Sequence, residues 1–138
     1  MGGDSGPAPI VAGIARARRK DKALRFELFG DERIICEELE RHRGLGDAVT
    51  VHHATDEIAP TEKPSQAIRR AKTTSMGLAI NAVKDGHADA ALSGGNTGAL
   101  MAMSQLALRT MPSIGRPGPA SLLPAMEHDL CMTHTGAQ

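Results

Sequence analysis

Aromatic residues are almost missing from this chain: 138 residues contain no Trp and no Tyr, and only Phe26 and Phe29 carry benzene rings. So few rings cannot build a base-stacking platform for single-stranded nucleic acid. Excess charge is missing too, since 16 basic residues balance 16 acidic ones and leave a formal net charge of zero. A duplex-binding protein needs a basic footprint, so nucleic acid is not an expected partner. Cysteine is sparse. Cys36 and Cys131 stand in no metal or redox spacing and read as free thiols of a reducing compartment. The N-terminus lacks the basic-then-apolar run of a signal peptide. The longest uncharged stretch, residues 90–108, holds Ser93, Asn96, Thr97, Ser104, Gln105 and three glycines, which excludes a membrane-spanning helix. A soluble, cytoplasmic protein is expected.

What is present is a core of small and flexible residues. Hydrophobic residues make up 41% of the chain and charged ones 23%, with 15 Gly, 8 Pro and 7 Met. The length suits a single domain over residues 1–138. Residues 9–20 read as a helix with Ile10, Val11 and Ile14 inward and a basic end. Residues 24–29 alternate as a strand that Gly30 breaks. Asp31 caps a second helix that carries Ile34, Ile35 and Leu39 and ends by Gly44. A strand over residues 48–52 then completes a β-α-β unit, and the helix ahead of that unit has no strand before it. From Pro64, a residue suited to a helix start, helical spacing runs on to about Lys84, where Gly86 stops it. Residues 88–92 read as a short buried strand, residues 97–109 as a helix buried all round, and residues 120–123 as a strand. The alternation predicts an α/β fold, a mostly parallel sheet with helices on both faces.

Chemistry gathers at Ser93-Gly94-Gly95-Asn96-Thr97-Gly98. Glycines between an apolar strand and a helix leave backbone N–H groups aimed at one point, where the helix dipole also draws an anion. Ser93, Asn96 and Thr97 add short polar side chains. The sequence is neither a Walker A loop nor a Gly-x-Gly-x-x-Gly fingerprint. A plainer reading stands beside the anion cradle: a tight turn whose Asn and Thr cap the helix. Ser65, Arg69, Lys72 and Met76 follow helical 4, 3 and 4 spacing, which predicts one face bearing two cations, with Lys63 just ahead. That stripe suits a phosphate or an acidic carrier protein, or is a solvated basic face. Gly2-Gly3-Asp4 with Pro7 is another glycine turn, or a loose terminus. The histidines form no metal site, because His52 and His53 point to opposite sides of a strand, and no nucleophile elbow is present.

Taken in order, Met1-Gly2-Gly3-Asp4 with Pro7, then Lys63-Pro64-Ser65-x-Ala67-x-Arg69-Arg70-x-Lys72-x-x-Ser75-Met76, then Ser93-x-Gly95-Asn96-Thr97-Gly98-Ala99-Leu100, then Arg116-Pro117 closely resemble the bacterial phosphate acyltransferases of phospholipid synthesis. The resemblance implies acyl transfer from acyl carrier protein to inorganic phosphate, with no metal or organic cofactor. It also implies an α/β fold similar to phosphate acetyltransferases and the isocitrate dehydrogenase group, a homodimer, and peripheral association with the cytoplasmic membrane face. On this reading Asn96, Ser93, Thr97 and Lys63 are catalytic. Asp4, Ser65, Arg69, Lys72, Gly95, Gly98 and Arg116 are substrate-binding. Family members are considerably longer, so the chain is expected to be an N-terminal portion lacking the family's first strand and its later parts. A non-catalytic remnant and an enzyme using an acyl-coenzyme A donor are the alternative readings.

Overall fold

The computed structural model describes residues 6–42, 44–114, 120–123 and 130–133. Its contacts divide the chain into two compact units, Met1–Leu108 and Arg109–Gln138. Expectations that fall on Asp4 and Arg116 lie outside the described residues.

The first unit begins with α1 (Ala8–Lys20), which starts behind Pro7 and ends on Arg18, Arg19 and Lys20, where the helix dipole favours cations. Strand β1 (Phe26–Gly30) follows, then α2 (Glu32–Glu40) and, after a short turn, β2 (Val49–His53). Asp31 caps α2 as its sequence position predicts, its carboxylate accepting from the N–H groups of Arg33 and Ile34. The two strands run parallel, with Phe26 opposite Val49 and Gly30 opposite His53. Period-2 geometry puts Phe26 and Leu28 on one face of this sheet. There they join Val11 and Ile14 of α1, Leu39 of α2, and Leu45 in one apolar cluster. Phe29 and His52 stack with ring centroids 4.8 Å apart. The described part of the first unit is therefore α/β with a parallel pair, as the β-α-β pattern implies.

Two further helices occupy the stretch read from sequence as one. Helix α3 (Pro64–Arg69) stops after six residues, and α4 (Ser75–Lys84) begins afresh. The break has a local cause in Thr73-Thr74-Ser75. Thr74, fully buried, caps α4 by accepting from the N–H of Gly77. The Thr73 hydroxyl donates to Asp56 and lies 3.2 Å from the Arg70 carbonyl oxygen. Hydroxyl side chains that find such bonds outcompete the helical ladder. Ser75 N–H donates to the Asp56 carbonyl, tying the break to the loop after β2. Helix α4 ends where Gly86 adopts a positive φ of 78°. The N–H of Gly86 returns to Val83 and that of His87 to Ala82, the paired closure that glycine permits.

Helix α5 (Thr97–Leu108) packs on α3 and α4. Ala67, Met76, Ile80, Ala99 and Met103 are buried together there with Ile58. The expectation that α5 is buried all round is corrected, since Leu106 is 63% exposed and Leu108 44%. Ala99 and Met103 are the buried residues of α5, and Leu100 and Ala107 pack partly buried beside them. Residues 88–92 also differ from expectation, for they form no strand. The segment is not buried either, since Asp89, Ala90 and Leu92 are exposed, and a strand requires a ladder partner, which this segment lacks among the described residues. A groove of about 620 Å³ lies there instead, lined by β1, by Val11 and Ile14, by Met76, and by the 88–94 segment with its exposed Leu92.

In the second unit β3 (Ala120–Leu123) pairs antiparallel with β4 (Leu130–Thr133), Ala120 lying opposite Thr133. The first of these strands lies where the sequence places it. No helix among the described residues is long and apolar enough to cross a membrane.

Candidate functional site

The glycine turn opens α5, as its sequence implies. Within it the Gly95 N–H donates to the Ser93 hydroxyl oxygen at 3.2 Å, which leaves the Ser93 proton available to another acceptor. Asn96 is the N-cap: its Oδ1 accepts from the Ala99 N–H at 2.9 Å, and its carbonyl accepts from Leu100 N–H. The N–H groups of Thr97 and Gly98 are left without a hydrogen-bond partner among the described residues, as the first donors of a helix are. The Thr97 side chain is exposed. The turn therefore offers two backbone donors, two hydroxyls and a helix N-terminus.

The Asn96 amide nitrogen turns away from that array. It lies 3.2 Å from the carbonyl oxygen of Ala59, 3.1 Å from that of Pro60 and 2.9 Å from that of Glu62. The loop after β2 is thereby bound to the turn, and with it Lys63, the residue that follows Glu62 and precedes α3. Pro64 closes the same junction, because a Cβ on Gly98 would come within 3.2 Å of the proline ring. Lys63 and the start of α5 are thus brought together from positions more than 30 residues apart in sequence.

Ser65, Arg69 and Lys72 are exposed. They do not share one helix face with Met76, since α3 ends at Arg69, Lys72 lies in the break, and Met76 is buried in α4. Lys63, Arg69 and Lys72 make no ion pair with any described residue.

Arg70 behaves differently from Arg69, its neighbour in the same basic run. Its guanidinium meets the Glu62 carboxylate at 2.7 Å and donates to the Glu57 carbonyl at 3.2 Å, with an Asp56 oxygen 4.0 Å away. The acidic run Asp56, Glu57 and Glu62 is the signal that could have found it. Arg70 is 41% exposed at its side chain, so solvent screens this clamp. Arg70→Met is expected to cost about 1 kcal/mol in urea unfolding, less at high salt. A cost that stays the same in 1 M salt would show that packing of the stem, and not the ion pair, is what is lost.

Among the described residues no group of three His, Cys, Asp or Glu side chains could hold a metal ion.

The fatty acid synthesis protein family model matches residues 1–138. A phosphate acyltransferase of Erythrobacter litoralis (strain HTCC2594) is 54% identical over 129 residues, covering 94% of this chain and 36% of that protein. Another, from Bradyrhizobium diazoefficiens, is 46% identical over 138 residues, covering 99% of this chain and 39% of its own length. A third, from Parvibaculum lavamentivorans, is 44% identical, with 99% and 38% covered. The chain therefore spans less than half the length of these relatives. Matched by the family model from its first residue to its last, the chain belongs to the fatty acid synthesis protein family.

Proposed function

We propose that this chain is part of a phosphate acyltransferase that moves an acyl group from acyl carrier protein to inorganic phosphate in bacterial phospholipid synthesis. The observation that carries the reading is the 54% identity to a relative of that name over 94% of the chain. In the reaction a phosphate oxygen attacks the thioester carbonyl, the new C–O bond forms and the C–S bond breaks. The carrier's sulfur leaves as thiolate, and the phosphate proton passes to solvent. A thiolate is already a fair leaving group, so the protein chiefly has to hold phosphate, orient the acyl group and stabilise an oxyanion. The Thr97 and Gly98 N–H groups with the Ser93 and Thr97 hydroxyls suit the oxyanion or phosphate, and Lys63 supplies the countercharge. We assign Ser65, Arg69 and Lys72, with Asp4 and Arg116, to substrate contacts, the exposed cations facing phosphate or an acidic carrier. The reading sets the protein in the cytoplasm, as a homodimer loosely held at the membrane, and requires no metal or organic cofactor.

The test is phosphorus NMR detection of acyl phosphate made by this chain, with acyl carrier protein and acyl-coenzyme A donors run in parallel. Product from the carrier donor that depends on added phosphate is expected. Product from coenzyme A alone overturns the donor assignment. No product from either, in a chain with folded circular dichroism, overturns catalysis by this chain and favours a binding remnant.

A further inference from the structure

We infer that Asn96 is a positioning residue: its side chain clasps the 59–62 loop to the start of α5 and so sets where Lys63 stands. The inference rests on the reading of this turn as the phosphate site, and it changes what Asn96 does there. An Asn side chain has two N–H bonds, and here three carbonyl oxygens surround them at 2.9 to 3.2 Å. No donor is left for a ligand. Rotating the amide would point its oxygen at those carbonyls and withdraw Oδ1 from the Ala99 N–H, so the environment fixes the orientation. Arg70 grips the same loop through the Glu57 carbonyl and the Glu62 carboxylate. Held by Asn96 and Arg70, and followed by Pro64 packed close to Gly98, Lys63 has its backbone fixed while its ammonium group makes no ion pair among the described residues.

Cap and clasp can be separated chemically. Ser and Asp cap a helix about as well as Asn, but neither carries an amide N–H. In N96S the cap is kept, the clasp is cut and no charge is added. Hydrogen exchange on the whole chain should then show the Glu62 amide, which bonds to the Ala59 carbonyl within the loop, opening about tenfold faster, with α5 amides changed less than about twofold. Binding of inorganic phosphate, followed by titration calorimetry, should weaken about three- to tenfold in N96S, and N96S should add nothing once K63A is in place.

Unchanged loop exchange in N96S overturns the clasp. A phosphate loss of the same size with and without Lys63 overturns its action through Lys63 and makes Asn96 a direct ligand. Should the wild-type chain bind no phosphate, the proposed function falls, and so does the placing of Lys63 for it, while loop exchange still decides the clasp. If N96S does not fold, N96D, which also keeps the cap, carries the exchange measurement.

Discussion

Gly77→Ala is expected to destabilise the protein by about 3 kcal/mol or more, although the same change in an ordinary helix interior stabilises by about 1 kcal/mol. Gly77 lies in the first turn of α4, where the chain has just come out of the break after α3. A Cβ placed there would fall on the carbonyl group of Ala71. The obstacle is backbone, which cannot swing aside as the tip of a long side chain would. Relief requires moving the 70–74 turn, and that turn holds the Thr74 cap and the Ser75 bond to Asp56. The overlap therefore outweighs the helix propensity gained. Urea unfolding of wild type and variant measures the difference, and a variant as stable as wild type would show that the close approach is not rigid.

Ile80→Ala should cost about 3 kcal/mol, lowering the melting temperature by roughly 10 °C. Ile80 is 1% exposed and joins Ala67, Ala99, Met76, Met103 and Ile58 in the cluster between α3, α4 and α5. Two of those neighbours are alanines with nothing to extend into the hole. The two methionines can bend partly into it, which sets the expected cost near the middle of the range for such truncations and not at its top. Leu106→Ala, at a position 63% exposed on α5, is the matched control and should change stability by less than about 0.5 kcal/mol. A loss at Ile80 no larger than at Leu106 would mean that this cluster is not a close-packed core.

Features decided within a few residues were legible before any coordinates. The Asp31 cap, the stop at Gly86 and the glycine turn before α5 each follow from local chemistry, and the parallel β1 and β2 pair follows from the alternation of strand, helix and strand. Hydrophobic periodicity misled where its period outlasted the helix. The apolar positions of residues 64–84 keep their spacing, yet Thr73 and Thr74 have side-chain partners at Asp56, Arg70 and Gly77 that no periodicity contains. The same limit applies to the site. Asn96 reads as a polar group beside an anion, and sequence alone could not show three loop carbonyls from 34 to 37 positions away. Arg69 and Arg70 look equivalent as letters. Only the fold gives one of them a carboxylate and leaves the other in solvent.

The groove beside β1 has a practical consequence for anyone handling this chain. A strand that pairs only with β2 among the described residues, bordered by an apolar trough and a Leu92 that is 93% exposed, is a template on which another extended chain can grow. Solubility at high concentration will then depend on what reaches that edge first, and dilute solution with a shielding peptide or detergent is the condition under which the fold is kept apart from its own copies.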